Sequence, residues 1–455
     1  MRSYIIYIIG VLLTLTSCLR DDDLSYEVYD VSVQLINPIS SKGLPEARVT
    51  MSTTMGNVWQ ATTDSDGIAN FVLPLGLYDL TASGSYSSPE DIDYVMNCSS
   101  ANICINSTTS QPHNPQTSQP PNLQTFTMTA SRRGSLVIKE VYNGGCQKDD
   151  GSGAYHNDKY VSLCNNGQLP LTVGGLCLAM AAPYNAHATN GNYLPDGSLS
   201  YAADGFLPAI QAVWHFADSL RLDGGEEVVI ALNGAVDHTV SYSLSVDLSH
   251  SEYYCTYDPL VFTNTSYYPV PSQLIPADHY LTAVFYGQGN AWPFSQLDPA
   301  FYIFSVPEGI DIQAYAADQS HLWYNNGTAT APNACLRIPV DWILDGVEIF
   351  TTSSTANKKR LTDAVDAGAV YLTNCYGYSV YRCVDAEATR AIPENAGLLV
   401  ELMPATPDAS QGVVPADPSG IDAEASRRQG ATIIYQDTNN SSNDFFERYQ
   451  AALRD

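Results

Sequence analysis

The sequence predicts an all-β protein with two β-sandwich domains and few short helices. Its 455 residues exceed the usual length of one domain. Thirty Tyr against 12 Phe, together with 31 Gly and 26 Pro, indicate many short strands and turns. Apolar and polar residues alternate along several short segments, as in sandwich strands. We place a smaller sandwich at residues 26–130, a linker at 131–134 and a larger sandwich at 135–455.

The N-terminus has the pattern of an export signal. Arg2 precedes an apolar run over residues 4–15, which is shorter than the ~20 residues of a membrane-spanning helix. We therefore interpret residues 1–17 as a signal peptide. The run ends at Cys18, for which the plain alternative is a free thiol in an ordinary cleavage region.

Leu15-Thr16-Ser17-Cys18 resembles the bacterial lipobox, which implies that Cys18 is acylated and becomes the new N-terminus. Residues 18–25 then form a lipidated tether. The acidic run of Asp21, Asp22 and Asp23 resembles the export signal of surface lipoproteins of Bacteroidota. Together these resemblances imply an outer-membrane protein that is anchored in lipid through Cys18 and exposed at the cell surface.

The charge of the chain excludes a nucleic-acid partner. Forty-eight Asp and Glu against 20 Lys and Arg give a formal net charge of −28. So few cations cannot readily form the basic face that a phosphate backbone requires.

Nine cysteines remain besides Cys18. Because nine is odd, at least one is free or pairs outside the chain. Cys98 with Cys104, and Cys375 with Cys383, are close enough in sequence for local disulfides. No two cysteines have the CxxC spacing, so a structural zinc cluster has little support.

The first domain alternates apolar and polar residues between turns, which predicts a small antiparallel sandwich. Residues 43–49 (GLPEARV), 63–71 (TDSDGIANF) and 74–78 (PLGLY) resemble the carboxypeptidase regulatory-like, or prealbumin-like, domain. That resemblance implies a spacer or docking module. We interpret Asp64–Gly67 as a hairpin turn rather than a calcium loop, residues 85–122 as a long polar excursion, and residues 123–128 as the closing strand.

The larger domain opens with strand-like segments at 136–142 and 160–164, separated by a Gly-rich loop. These segments, with 219–230 and 343–350, resemble the lamin-tail domain, which implies an immunoglobulin-like sandwich with a large insertion at about 234–343. Ser162 stands where that family usually has Glu. Helices are predicted at 356–370 and at 444–453, the second with Asp444 as N-cap. The whole arrangement resembles an uncharacterised family of Bacteroidota surface lipoproteins, a domain of unknown function.

Acids and histidines in two loops suggest a metal site. If the sandwich places these loops at one end, their side chains could converge as ligands for a divalent metal. The alternative is solvated loops with capping Asp residues, and no cofactor is certain. The candidate ligands are Asp149, Asp150, His156, Asp158 and His187.

Clustered aromatic residues in the predicted insertion suggest a binding surface for a glycan or a protein. The alternative is that they pack into the core of extra strands, which we expect for Phe285 and Phe294. The candidate binding residues are Trp292, Trp323, Tyr324, Tyr254 and Tyr257.

The chain contains no nucleophile elbow, His-Glu-x-x-His, phosphate loop or dinucleotide fingerprint, so we predict a non-catalytic binding protein. The family resemblance implies an accessory capture protein for a TonB-dependent receptor that imports a nutrient, such as a metal or a glycan. One alternative is an adhesin or another interaction protein of the cell envelope. A third is a hydrolase whose acids, such as Asp298, Asp311 or Asp318, would face one cleft.

Overall fold

The computed structural model describes residues 27–89, 93–106, 111–112, 122–132, 134–187, 190–287, 289–402 and 417–454. The predicted signal peptide and tether, with Cys18, Asp21, Asp22 and Asp23, lie outside these residues. The described chain is an all-β, multi-sheet sandwich, as the sequence predicts. Its helices are at most six residues long, and none within the described ranges could cross a membrane.

The N-terminal domain consists of two five-stranded sheets. One has β1 between β2 and β5, with β8 and β9 also paired to β1, and the other has the order β10-β7-β6-β3-β4. Alternate residues of β1, among them Val31, Val33 and Leu35, point into the core between the sheets. The strands are β1 (Val28–Asn37), β2 (Lys42–Gly43), β3 (Arg48–Ser52), β4 (Val58–Thr62), β5 (Ile68–Pro74), β6 (Gly76–Ser87), β7 (Asp93–Ile105), β8 (Gln111–Pro112), β9 (Asn122–Thr127) and β10 (Thr129–Arg132).

The turn at Asp64–Gly67 has the predicted hairpin chemistry. The Asp64 carboxylate accepts hydrogen bonds from the backbone N–H groups of Asp66 and Ile68, at 3.0 and 2.9 Å. Gly67 has φ of +75°, and a Cβ there would lie 2.6 Å from the backbone of Gly43. This position therefore requires glycine.

Three expectations for this domain are wrong. Residues 93–105 of the predicted excursion form β7, which pairs with β6 along nearly its whole length. The predicted linker begins too early, because β10 runs through Arg132 and pairs with β7. In addition, β9 lies parallel to β1, whereas the pattern predicts an antiparallel sandwich.

None of the nine cysteines in the described residues forms a disulfide. Cys98 and Cys104 lie six positions apart on the extended strand β7, which separates them by about 20 Å. A disulfide requires Cα atoms within about 7 Å. Closeness in sequence therefore does not bring Cys98 and Cys104 within bonding distance, and Cys375 and Cys383 are also free thiols.

The second domain, here called the body, is a sandwich of two six-stranded sheets. Sheet one has the order β21-β20-β14-β11-β28-β29, and sheet two has the order β22-β18-β16-β23-β26-β27. Residues such as Ile138 and Val161 of sheet one pack against Trp214, Ile303 and Val347 of sheet two. Two smaller sheets pair β12 with β13 and β15 with β19. A third has the order β17-β25-β24.

The strands of the body are β11 (Leu136–Tyr142), β12 (Cys146–Gln147), β13 (Ala154–Tyr155), β14 (Tyr160–Asn165), β15 (Leu171–Val173), β16 (Leu176–Met180), β17 (Phe206–Ala209), β18 (Val213–His215), β19 (Leu220–Leu222), β20 (Glu227–Ala231), β21 (Tyr254–Cys255), β22 (Thr282–Val284), β23 (Ala300–Ser305), β24 (Leu322–Tyr324), β25 (Ala334–Pro339), β26 (Ile343–Thr351), β27 (Val370–Leu372), β28 (Ser379–Arg382) and β29 (Phe445–Arg448). Strand β23 comes from the segment that the sequence assigns to an insertion, yet it lies between β16 and β26 in the interior of sheet two. That segment is therefore part of the sandwich.

The helices are α1 (Ile312–Ala317), α2 (Ala386–Ala391), α3 (Ala423–Arg428) and α4 (Ser441–Asp444). Short 3-10 turns lie at Ala277–His279, Gln319–His321, Asn325–Gly327, Ala331–Asn333, Val340–Trp342, Pro393–Asn395 and Ala452–Arg454.

Both predicted helices of the body are wrong. Residues 356–369 form an irregular loop, and Val370 begins β27, because Arg360 is buried in an ion pair with Glu348 and cannot lie on an exposed helix face. The second prediction is displaced, because α4 ends at Asp444 and has Asn440 as its N-cap. The chain then extends as β29, which buries Phe445 and pairs with β28.

The two ends of the body differ in what they contact. Strand β11 starts at the end that faces the N-terminal domain, which we call the joint end. There the Asn97 side chain donates to the carbonyl of Thr438, and Ser99 Oγ lies 3.3 Å from the carboxylate of Asp363. Strand β11 finishes at the opposite end, which we call the distal end, about 23 Å away.

Candidate functional site

The distal end is where the loops of both sheets meet. Tyr142 at the end of β11 is paired with Tyr160 at the start of β14, and Tyr160 is paired with Ala231 at the end of β20. The loops beyond these residues therefore emerge together. They cover residues 143–159, 181–187, 232–250, 289–299, 373–378 and 449–454. Because loops carry side chains that no strand ladder constrains, this end is the candidate functional surface.

Backbone hydrogen bonds hold the Gly-rich loop against its neighbour. The N–H of Cys375 donates to the Gly144 carbonyl at 3.0 Å, and the N–H of Gly377 donates to the Gly145 carbonyl at 2.9 Å. Gly145 has φ of +70°, and a Cβ there would lie 2.0 Å from the carbonyl oxygen of Tyr155. The close approach of these loops therefore depends on glycine.

Three tyrosines form a stacked row at the distal end. Ser379 and Arg448 are paired across β28 and β29, so Tyr378 and Tyr449, the residues just outside this pair, lie side by side. Their ring centroids are 4.5 Å apart with an interplanar angle of 15°, and the ring of Tyr376 lies 5.7 Å from that of Tyr378. Tyr376 is 50% exposed. We call Tyr376, Tyr378 and Tyr449 the tyrosine row.

A second aromatic group lies on the same end. The hydroxyl of Tyr155 lies 2.7 Å from His238 Nδ1, and the Tyr155 ring lies 4.5 Å from that of Tyr242. His238 Nε2 lies 2.6 Å from the carbonyl of Gly234, which can only accept, so Nε2 donates and Nδ1 accepts from Tyr155. Burial lowers the pKa of His238, so a neutral ring is favoured.

The exposed acids that the sequence proposes as metal ligands are engaged in hydrogen bonds that fix the distal loops. Asp149 accepts hydrogen bonds from the N–H and hydroxyl of Ser243, at 3.0 and 2.9 Å. Asp150 accepts from the N–H of Ser152 at 2.8 Å, and that hydrogen bond lowers the pKa of Asp150. Asp149 thus links two loops, and Asp150 stabilises its own turn.

Asp158 and His156 lie deeper in the same region. The Asp158 carboxylate is buried and accepts from the hydroxyls of Tyr142 and Ser245, at 2.8 and 2.7 Å. The Nζ of the buried Lys159 donates to the carbonyl of His156, and burial lowers the pKa of Lys159 to about 8. Burial and the charge of Lys159 also lower the pKa of His156.

His187 pairs with a carboxylate outside the predicted set. Its Nδ1 lies 2.6 Å from Oδ2 of Asp298, which is fully buried. Ser295 Oγ lies 2.8 Å from Oδ1 of the same carboxylate. A buried Asp fixes the orientation of an imidazole in this way in both catalytic and metal sites, but also in purely structural pairs.

The predicted loops do lie at one end of the sandwich, but the side chains do not converge. Within the ranges that the structure describes, no group of three or more His, Cys, Asp or Glu could hold a metal ion. The residues are instead held separately by hydroxyl, backbone or carboxylate partners. This corrects the joint assignment of Asp149, Asp150, His156, Asp158 and His187.

The candidate aromatic residues also do not form one surface. Trp292 is 4% exposed and packs in the core between the sheets, 4.8 Å from the ring of Phe294 and 6.0 Å from that of Trp214. Trp323 packs with a different part of the core, 5.4 Å from the ring of Tyr201. The core interpretation therefore holds for Trp292, whereas Trp323 is half-buried and packs against the core.

The three candidate tyrosines are half-buried at separate places. Tyr254 stacks on His279 with ring centroids 4.1 Å apart, and Tyr257 lies edge-on to Tyr280 at 5.4 Å. Tyr324 ends β24, where it is paired with Ala334. These three tyrosines therefore do not form one exposed surface with the two tryptophans. Phe285 and Phe294 pack against the core, as expected.

The acids proposed for a hydrolase do not share a cleft. Asp311 is exposed and caps α1 by accepting from the N–H of Gln313 at 2.8 Å. Asp318 is also exposed and caps the 3-10 turn that follows, through the N–H of Ser320 at 2.8 Å. Asp298, in contrast, is buried beside His187. Two of these three carboxylates thus cap helical turns, and the third pairs with a histidine.

Sequence reasoning missed the tyrosine row because Tyr449 comes 71 positions after Tyr378. The two rings meet only through the pairing of β28 with β29. A local signal was present, since Tyr376-Gly377-Tyr378 places two aromatic residues around a turn at the start of a strand.

Comparison with protein-family models matches residues 223–397 to a family described as protein of unknown function, DUF4876. No curated protein matches the chain. A crystal structure of a DUF4876 family protein from Bacteroides thetaiotaomicron is 21% identical, with 93% of this chain and 96% of that chain covered and a TM-score of 0.51. This likeness shows a shared fold over nearly the whole length of both chains.

Two further solved structures are much less similar. Fervidolysin from Fervidobacterium pennivorans, a keratinolytic enzyme related to subtilisin, is 18% identical with a TM-score of 0.17, over 32% of this chain and 26% of that chain. The major pilin SpaD from Corynebacterium diphtheriae is 9% identical with a TM-score of 0.15, over 34% and 41%. At these scores neither likeness bears on the function of this chain.

Proposed function

We propose that this protein is a non-catalytic, lipid-anchored protein of the outer-membrane surface that binds a ligand or partner through the distal end of its body. In this role it serves as an accessory capture protein for a TonB-dependent receptor. The observation that carries the proposal is the tyrosine row, a partly exposed set of stacked aromatic rings at the loop end of a sandwich.

The direction of β1 supports a binding surface that lies at the end of the molecule away from the lipid anchor. Val28 at the start of β1 is paired with Pro74, whereas Ile36 near its end is paired with Thr127, which leads into β10 and the joint. The chain therefore enters the N-terminal domain at the end away from the body. A ten-residue strand spans about 33 Å. An anchor at Cys18 would thus attach to the end of the molecule away from the tyrosine row.

The chemistry of the row suits a neutral ligand. Partial burial and the neighbouring Tyr449 and Glu447 raise the pKa of Tyr378, so its phenol stays uncharged and can donate a hydrogen bond. Tyrosine rings combine a large apolar face with a polar hydroxyl, which favours contacts with sugar rings or with aromatic and aliphatic side chains of a protein.

The test is capture of partners by the tagged full-length lipoprotein, in mild detergent, from surface-labelled cells. Tyr376→Ala is compared with Tyr371→Ala, a matched control at an exposed tyrosine of β27 outside the row. We expect an outer-membrane receptor to be recovered with the wild type and the control, and to be depleted with Tyr376→Ala. Elemental analysis of the same samples reports any bound metal.

Each other outcome has a definite meaning. Recovery of a host or neighbouring-cell surface component without a receptor would make the protein an adhesin. Equal recovery of a receptor with both variants would overturn the role of the row and keep the capture role. Recovery of the protein alone would overturn the capture role.

A further inference from the structure

The chain enters the N-terminal domain at an end that two turns also share. Strand β1 starts at Val28, which is paired with Pro74 at the end of β5. Strand β3 ends at Ser52, which is paired with Asp79 near the start of β6. The hairpin tip at residues 53–57, between β3 and β4, therefore lies at the same end as the turn from β5 to β6. We call this end the entry end.

Large apolar side chains are exposed at the entry end. Neither residues 53–58 nor residues 74–77 contain a charged residue. The nearest acid on β6, Asp79, lies two positions beyond Leu77, about 7 Å further from the tip. Exposed apolar side chains that are grouped together mark a surface that contacts a membrane or another protein. The members of this group, here called the entry patch, are Met55 (90% exposed), Leu77 (58%), Val58 (56%) and Leu75 (47%).

The entry patch is held in place by the domain beneath it. The N–H of Gly56 donates to the carbonyl of Thr53 at 2.9 Å, which closes the hairpin tip beside Met55. On the core side of the same sheet, the rings of Trp59 and Tyr78 lie edge-on with centroids 5.5 Å apart. Because side chains alternate between the two faces of a strand, the patch residues that directly precede these rings point outward.

The position of the proposed anchor decides what faces this patch. Nine residues, 18–26, separate the described chain from the membrane end of the tether. Fully extended, nine residues reach at most about 30 Å. An acylated Cys18 would therefore keep the entry end close to the bilayer, whereas the body lies beyond the other end of β1. The lipid surface is thus the apolar partner that the anchor brings to the patch.

We propose that the entry patch docks on the outer membrane itself, with Met55 and Leu77 in contact with lipid at the boundary between headgroups and acyl chains. This inference rests on the lipid anchor of the proposed function and adds a second contact, made by the protein surface. Because the patch has no charged residue, the contact is apolar rather than electrostatic. It orients the N-terminal domain on the bilayer, so that the tyrosine row points away from the membrane.

The test uses the full-length lipoprotein in phosphatidylcholine vesicles, with or without lipids that are brominated on their acyl chains and quench tryptophan on contact. Met55→Trp is compared with Tyr371→Trp, a matched control at an exposed residue of the body. After subtraction of the wild-type fluorescence, we expect brominated lipid to quench the new tryptophan of Met55→Trp at least about twofold and that of the control not at all. Quenching should be equal at low and high salt.

A charge placed in the patch gives a second comparison. In the Met55→Trp background, Leu77→Asp should remove at least about half of the quenching, because a carboxylate resists transfer into lipid. Val240→Asp, at an exposed residue of the body, should leave the quenching unchanged. Equal quenching in the two double variants, or quenching that high salt abolishes, would overturn an apolar lipid contact at this patch.

Sedimentation of the same vesicles tests the anchor separately. Protein that stays in solution would overturn the lipid anchor of the proposed function and this inference with it. Protein that sediments with the vesicles while Met55→Trp is not quenched would overturn the lipid contact alone and leave the anchor in place.

Discussion

Arg360 and Glu348 form an ion pair that is completely enclosed in the body. Both side chains are 0% exposed, and Nε and Nη2 of Arg360 lie 2.9 and 2.7 Å from Oε1 of Glu348. The guanidinium also donates to the carbonyl of Asp298 at 2.7 Å. The second oxygen of Glu348 accepts from the N–H groups of Arg360 and Leu361. The pair thereby fixes the irregular loop that replaces a predicted helix.

Removal of one member of this pair should be strongly destabilising. Arg360→Met leaves the Glu348 carboxylate buried without its cation, so we expect the free energy of unfolding to fall by about 3–5 kcal/mol. The control is Arg390→Met, which breaks an exposed pair with Glu401 and should cost less than about 1 kcal/mol. Urea unfolding measures both. Similar losses in the two variants would contradict the role of the enclosed pair.

The carboxylates around Arg382 should make stability depend on pH. Burial raises the pKa of Asp345 and of Asp444 to about 7, against ~3.9 in the unfolded chain. Between these values the folded protein holds protons that the unfolded chain has lost, so stability falls as pH rises from about 4 to about 7. Asp444→Asn removes one such group.

We therefore expect the loss of unfolding free energy between pH 4 and pH 8 to be smaller in Asp444→Asn than in the wild type, by on the order of 1–4 kcal/mol. Urea unfolding at several pH values measures this difference. The same pH dependence in both proteins would show that Asp444 does not retain its proton in the folded state.

Substitution of Trp292 in the core should lower the stability of the body. Trp292→Ala creates a cavity between the sheets, so we expect it to lower the free energy of unfolding by about 3–5 kcal/mol. If Trp292 were instead an exposed ligand platform, its removal would leave stability nearly unchanged. Thermal or urea unfolding distinguishes these outcomes.

Tyr376→Ala should weaken partner binding and leave the stability of the fold nearly unchanged. Because half of its side chain is exposed, we expect a stability change within about 0.5 kcal/mol. A tyrosine at the centre of an interface typically contributes about 2 kcal/mol, so partner affinity should fall by roughly 30-fold. Titration of the captured partner against the wild type, Tyr376→Ala and the Tyr371→Ala control measures this.

Thiol labelling should distinguish the free cysteines by exposure. Cys104 is exposed, whereas burial raises the pKa of Cys98 to about 11 and of Cys146 to about 12. We expect iodoacetamide to modify Cys104 first in the native protein, and Cys146 to react after unfolding. Mass spectrometry of peptides identifies the order. A disulfide-linked peptide from the untreated protein would contradict the free-thiol state.

The sequence predicts those segments of the fold whose structure is determined by a local pattern. The alternation of Val31, Val33 and Leu35 predicts a strand with one buried face, and the Asp64–Gly67 turn follows from local hydrogen bonding. The loop at 356–369 could not be predicted in this way, because its charged residues have the pattern of an exposed helix. Only the distant carboxylate of Glu348 explains why Arg360 lies inside.

The candidate site was predictable only in its general position. The metal-site hypothesis required the histidine and acid loops to lie at one end of the sandwich, and they lie there. Which side chains are available, however, depends on partners far along the chain, such as Ser243 for Asp149 and Asp298 for His187. The tyrosine row likewise requires a pairing between strands that no local pattern encodes.

The strand order of sheet one determines when β11 can be paired on both edges during folding. Strand β11 lies between β14 and β28, and the carboxylate of Glu140 on β11 accepts hydrogen bonds from Ser379, 239 positions later, and from the N–H of Ala452, 312 positions later. A polypeptide that is synthesised from its N-terminus must therefore keep one edge of β11 unpaired until β28 has been made. Prematurely ended chains would expose that unpaired edge and the Glu140 carboxylate, so proteases could distinguish incomplete molecules from complete ones.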